Sequence, residues 1–169
     1  MITPAYVTTM AAYNAEMNRR LYAAAARLDD AERRADRGAF WGSIHGTFNH
    51  LLWGDLNWMS RFAGWPKLDT PIKESGGLIA DFGELSARRV AVDADIAAWA
   101  ADVTDAWLAD DLVWYSWALQ REMRGPRTLL VAGLFNHQTH HRGQAHALLT
   151  AAGEQTGDTD LPFVVMGQA

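Results

Sequence analysis

His137 and His141 stand four residues apart in the run Leu134-Phe135-Asn136-His137-Gln138-Thr139-His140-His141-Arg142-Gly143-Gln144-Ala145-His146. The run lies in a helical pattern between Pro126 and Gly153, and a helix turns about 100° per residue, so both imidazoles project from one face a turn apart. That is the geometry of two ligands of one metal. All six histidines of the chain fall in this run or in a second window, His45 and His50. A catalytic zinc or similar divalent ion takes three protein ligands and keeps one position for water or substrate. His137 and His141 supply two of them, and an inward His50 on a neighbouring helix completes an open three-His site.

His45 precedes His50 by five residues, about 140° round a helix, so the two cannot face the same interior point. The inward role goes to His50, because Trp53 and Gly54 continue its face with a bulky and a small residue suited to a pocket. The chain has no Cys, which leaves imidazole, carboxylate and water as metal ligands and removes thiol nucleophiles and disulfides. The spacing resembles the HExxH helix of metalloproteases, but the general-base position holds Gln138, and an amide takes up no proton at neutral pH. A two-His-one-carboxylate iron site would need Asp55, five positions from His50 and poorly placed. His140 and His146 are displaced by about 100° or more from the His137/His141 face and are read as surface or interhelix hydrogen-bonding groups. Arg142 is read as a brace between helices and Gln144 as a group able to orient a ligand. Spacing assigns no catalytic acid or base.

Four long helices must position these groups. Thr3-Pro4 starts the first, by a capping hydroxyl and a residue whose missing N–H costs nothing in the first turn. It runs to about Leu28, with Val7, Met10, Ala11, Tyr13, Met17, Leu21 and Ala24 inward and Asn14, Arg19 and Arg20 on the polar face. Asp29 to Gly38 turns the chain with a solvated charge run. Ser43 caps a second helix to Gly64, whose inward series is Ile44, Phe48, Leu51, Leu52, Asp55, Met59 and Phe62. Residues Trp65 to Ile79, with two prolines and two glycines, read as a loop long enough for a crossover. A third helix spans Asp81 to Val103 through Phe82, Leu85, Val90, Val92, Ile96 and Trp99, and Asp105 to Asp111 adds a short turn. Leu112 to Leu119, followed by Gln120 to Gly125, suits a small β-hairpin. The last helix carries Leu129, Leu130, Leu134, His137, His141, Ala145 and Leu148 inward, and the tail from Glu154 to Ala169 reads as irregular.

The 169 residues suit one domain, 1–169, with a sizeable core. A net charge of −5 gives no basic phosphate-binding surface, so nucleic acid is not expected as a partner. No apolar run reaches membrane-span length and the N-terminus lacks the pattern of an export signal, so the expected location is cytoplasmic. Four of the eight tryptophans, Trp41, Trp53, Trp58 and Trp65, surround the first histidine window and are read as core or interface packing in preference to a ligand-pocket wall.

The run Asn136-His137-Gln138-Thr139-His140-His141-Arg142-Gly143-Gln144-Ala145-His146-Ala147-Leu148-Leu149 resembles the C-terminal helix signature of the DinB/YfiT-like metalloenzyme superfamily. Ser43-Ile44-His45-Gly46-Thr47-Phe48-Asn49-His50-Leu51-Leu52-Trp53 resembles that family's first-ligand helix, and the likeness follows helix order over almost the whole chain. It implies an all-α fold, a four-helix bundle in up-down-down-up order, with a divalent metal near one end. Zinc or nickel is the expected ion, ahead of iron or manganese. The ligand positions fall on His50, His137 and His141. The resemblance also implies a homodimer, and an activity like that of thiol-dependent S-transferases, in which the metal activates a low-molecular-weight thiol toward a small-molecule substrate. A metal-dependent hydrolase and a non-catalytic, metal-stabilised stress-response or binding module are the alternatives.

Overall fold

The computed structural model describes residues 1–116 and 119–166 of the chain. Four long helices dominate it: α1 (Pro4–Ala25), α3 (Ile44–Phe62), α4 (Phe82–Asp102) and α6 (Arg127–Ala151). Short helices α2 (Asp30–Arg34), α5 (Asp105–Ala109) and α7 (Leu161–Met166) and a 3₁₀ segment, Ile72–Gly77, fill the connections. Strands β1 (Asp111–Ser116) and β2 (Arg121–Pro126) form an antiparallel hairpin immediately before α6, in a register that pairs Asp111 with Pro126 and Ser116 with Arg121. Trp117 and Ala118, in the expected first strand, lie outside the described residues.

The helix starts follow their capping residues. Thr3 Oγ1 accepts from Tyr6 N–H at 3.2 Å, Ser43 Oγ from Gly46 N–H at 3.0 Å and Asp81 Oδ1 from Glu84 N–H at 2.7 Å. Each such cap stabilises its helix by roughly 1 kcal/mol, because it satisfies a backbone donor that the first turn leaves unpaired. Helix α1 packs on α4 and α6, and α3 packs on α6, on α4 and on the 3₁₀ segment. The inward series of these helices meet in one core, with Val7, Leu21, Phe48, Leu52, Met59, Leu85, Val92, Val131, Leu134 and Leu149 at 2% exposure or less. Burying one such side chain is worth about 1.5–3 kcal/mol, which is why the 3.6-residue period sets these faces.

Several faces differ from the pattern read in the sequence. Leu129 is 56% exposed, and the buried stripe of α6 runs instead through Val131, Leu134, Phe135, Gln138, His141, Arg142 and Ala145. Gln138 and Arg142 thereby enter the core, each held by a partner there, while His137 is half-buried. Asn14, expected on the polar face of α1, is 6% exposed, and Val90 of α4 is 65% exposed. The tail is not wholly irregular: α7 turns back onto α1 and buries Val164. No helix among the described residues is long and apolar enough to cross a membrane.

Candidate metal centre

The imidazoles of His50 on α3 and of His137 and His141 on α6 converge, with one ring nitrogen from each lying within 4.8 Å of the others. His50 Nε2 and His137 Nε2 are 3.0 Å apart. The ring centroids stand at 5.0 Å for His50–His137 and 4.6 Å for both His50–His141 and His137–His141. Two imidazole nitrogens on one tetrahedral zinc, each about 2.0–2.1 Å from it, sit roughly 3.3 Å apart, so the donor set fits a divalent cation.

Local sequence explains the convergence. The four-residue spacing sets His137 above His141, and α3 approaches closely because Gly54 faces His137. A Cβ on Gly54 would come within 2.8 Å of His137 Cε1 and 3.2 Å of Nδ1. On the other side of His50 the indole of Trp41 stacks on the imidazole, with centroids 4.0 Å apart and planes at 20°. That stack depends on Gly46, where a Cβ would lie 2.3 Å from the Trp41 carbonyl oxygen. Trp53 flanks His50 at 6.0 Å, and its Nε1–H donates to the Thr70 carbonyl at 2.8 Å. Trp41 and Trp53 thus wall the histidine site, in place of the expected core or interface packing, while Trp58 and Trp65 pack against the core.

Two of the rings are oriented through their second nitrogen. His50 Nδ1 lies 2.8 Å from Ser75 Oγ, a hydroxyl with no exposed surface that the 3₁₀ segment brings in. His141 Nδ1 lies 2.8 Å from Gln144 Oε1; an amide oxygen only accepts, so Nδ1 carries the proton and Nε2 keeps its lone pair. Such outer partners fix the tautomer that a metal requires. Among the described residues, His137 Nδ1 is buried without a hydrogen-bond partner.

Electrostatics keep the cluster neutral. Burial, then the neighbouring His137 and His141, brings His50 down to about 3. Burial, then His141 and His140, brings His137 down to about 4. Burial also lowers His141, against the hydrogen bond its Nδ1–H donates to Gln144. Neutral imidazole is the ligand form, so these groups present lone pairs at physiological pH without losing a proton first.

The remaining candidates lie apart from this centre. His45 is buried, and its Nε2 meets the Ile79 carbonyl at 3.0 Å. His140 is exposed beside His141, and His146 Nδ1 pairs with Thr156 Oγ1 at 2.6 Å. Gln138 turns into the core and donates to Asp55 Oδ1, so the residue at the protease general-base position faces away from the histidines. Asp55 is no metal ligand: its Oδ2 accepts from Arg89 at 2.6 Å, and Arg89 also meets Asp93 at 2.7 Å. Burial works against the Arg89 charge, but Asp55 and Asp93 outweigh it and hold the guanidinium above its ordinary value. Arg142 donates to Gln138 Oε1 at 3.2 Å and lies over the Tyr13 ring, which makes it the brace expected from sequence. This network ties α1, α3, α4 and α6 together directly behind the two histidines of α6. Two open clefts on the α3/α4 side, of about 630 and 500 Å³, have no histidine in their walls.

A DinB family model matches residues 1–168, and the chain belongs to the DinB family. No curated protein and no solved structure matches it.

Proposed function

We propose that the protein is a metal-dependent enzyme that transfers the sulfur of a low-molecular-weight thiol to a small electrophile, with His50, His137 and His141 as the metal ligands. The observation that carries this reading is the convergence of three neutral imidazoles from two helices, with Ser75 and Gln144 orienting two of them. The four long helices are read as the family's up-down-down-up bundle, and the ion as zinc or nickel.

A divalent cation at this position supplies positive charge that lowers the pKa of a thiol or water brought to its open side. The chain's residues provide the rest. Ser75 and Gln144 hold the His50 and His141 rings in register, Gly54 leaves room for the His137 ring, and the Trp41 indole shields His50 from water. In the overall reaction the thiol releases its proton to solvent, sulfur forms a bond to the electrophilic carbon, and the leaving group departs with the electron pair. Because the thiol is exogenous, a chain without Cys can catalyse it.

Elemental analysis of protein purified without added metal, beside a His137→Ala/His141→Ala variant, tests the centre. Near-stoichiometric metal in the parent and little in the variant is expected; negligible metal in both sinks the proposal. Incubation of the metal-loaded protein with glutathione, bacillithiol or mycothiol and an alkylating electrophile tests the reaction. A thioether product that disappears on chelation is expected. Metal that raises the melting temperature while no thiol gives turnover would replace the enzyme reading with a metal-stabilised binding module.

A further inference from the structure

Phe40 is 77% exposed, although it stands next to the histidine centre, with its ring centroid 6.4 Å from that of His141 and 5.4 Å from that of Trp41. A ring left this open buries little area on folding, and it offers its free face to a ligand beside His141. The turn that carries it is closed by backbone hydrogen bonds between its neighbours. Gly42 N–H donates to the Ala39 carbonyl at 2.8 Å, Arg37 N–H to the Gly42 carbonyl at 2.9 Å and Ser43 N–H to the Trp41 carbonyl at 2.8 Å. Gly38 and Gly42 both have φ of +73°, a left-handed backbone that glycine adopts without strain. The turn therefore points two consecutive aromatics in different directions. Trp41 goes inward over His50, where a Cβ on Gly76 would lie 3.5 Å from its Cε3, and Phe40 goes outward beside His141.

We propose that Phe40 is a substrate-binding residue, a fixed aromatic platform that takes the flat apolar part of an aromatic electrophile and holds it beside the histidine centre. This rests on the reading of that centre as the reaction site. The physical basis is that a phenyl ring on a rigid turn loses little conformational freedom when a ligand covers it, whereas offset or edge contacts between rings add to the area buried. An aliphatic electrophile would gain less from the same surface. The aromatic ring stays intact throughout; only the bond from its reacting carbon to the leaving group breaks as the carbon–sulfur bond forms, and the thiol proton goes to solvent.

The test uses the full metal-loaded chain and two probes that share the glutathionyl part, S-(2,4-dinitrophenyl)glutathione and S-hexylglutathione, with binding followed by calorimetry. Metal content is measured on the same samples. For Phe40→Ala the expected result is at least tenfold weaker binding of the dinitrophenyl probe, less than threefold change for the hexyl probe, and unchanged metal. Phe40→Tyr should retain the aromatic preference. Equal binding of the dinitrophenyl probe by Phe40→Ala and the parent overturns the proposal, as does an equal loss for both probes or absence of an aromatic preference in the parent. A parent without metal would instead refute the metal centre, while the comparison of probes would still decide the role of Phe40.

Discussion

Replacing Gly54 by Ala should separate folding from metal binding, because it pushes the two in opposite directions. A methyl group at residue 54 would sit 2.8 Å from His137 Cε1 and 3.2 Å from Nδ1, whereas ordinary contacts begin near 3.4 Å. The ring must therefore move by about half an ångström or more, and metal–ligand distances tolerate only about 0.2 Å. In the metal-free protein the imidazole can shift at the cost of its Nε2 contact with His50, since Nδ1 has no hydrogen bond to break. Ala in a helix interior is also favoured over Gly by about 0.8–1 kcal/mol. The metal-free variant should then melt at the same temperature as the parent or slightly above it. Its affinity for zinc or nickel should fall on the order of 10–100-fold, the range seen when the support of a metal ligand is disturbed. Competition against a chromophoric chelator gives the affinity, and calorimetric melting in excess chelator gives the stability. Gly54→Ala binding metal as tightly as the parent would refute the assignment of His137 as a ligand held by this packing.

Further outcomes follow from the same geometry. Ser75→Ala removes the partner of His50 Nδ1 and should weaken metal binding on the order of tenfold, with helical content unchanged by circular dichroism. Arg89→Met leaves the Asp55 carboxylate buried with Gln138 as its remaining described partner and should destabilise the protein by about 3–5 kcal/mol in urea titration. A loss below 1 kcal/mol would mean that the ion pair is not buried as described. The pH dependence has a defined sign in metal-free protein. His50 at about 3 and His137 at about 4 both lie below the ordinary 6.5, so the unfolded chain binds protons that the folded state refuses. Stability is full above pH 6.5 and falls as pH drops toward 4. One such histidine accounts for about 2 kcal/mol between pH 6.5 and 4.5. His137→Gln should flatten that part of the profile; an unchanged slope would show that His137 is accessible to protons in the folded state.

The sequence by itself determined the inward face of α3 and the presence of a three-His candidate set. Helical period places His137 over His141, and the stripe through Phe48, Leu52, Asp55 and Met59 directs α3 inward. Capping by Thr3, Ser43 and Asp81 is likewise a local event, decided by residues three apart. The Asp55–Arg89 pair was also within reach. Arg89 occupies the inward stripe of α4 between Leu85 and Val92, and an acid and a base on inward stripes of two helices point to a buried pair. Tertiary structure alone decided the rest, because a periodic pattern fixes which side of a helix is buried but not what lies opposite at each level. Ser75 reaches His50 across 25 residues through a loop without periodic pattern, and the inward turn of Trp41 and outward turn of Phe40 depend on a turn that no stripe defines. The rotation of α6 also came from packing: Gln138 and Arg142 enter the core because Asp55 and Tyr13 stand there to meet them, and Leu129 is left in water.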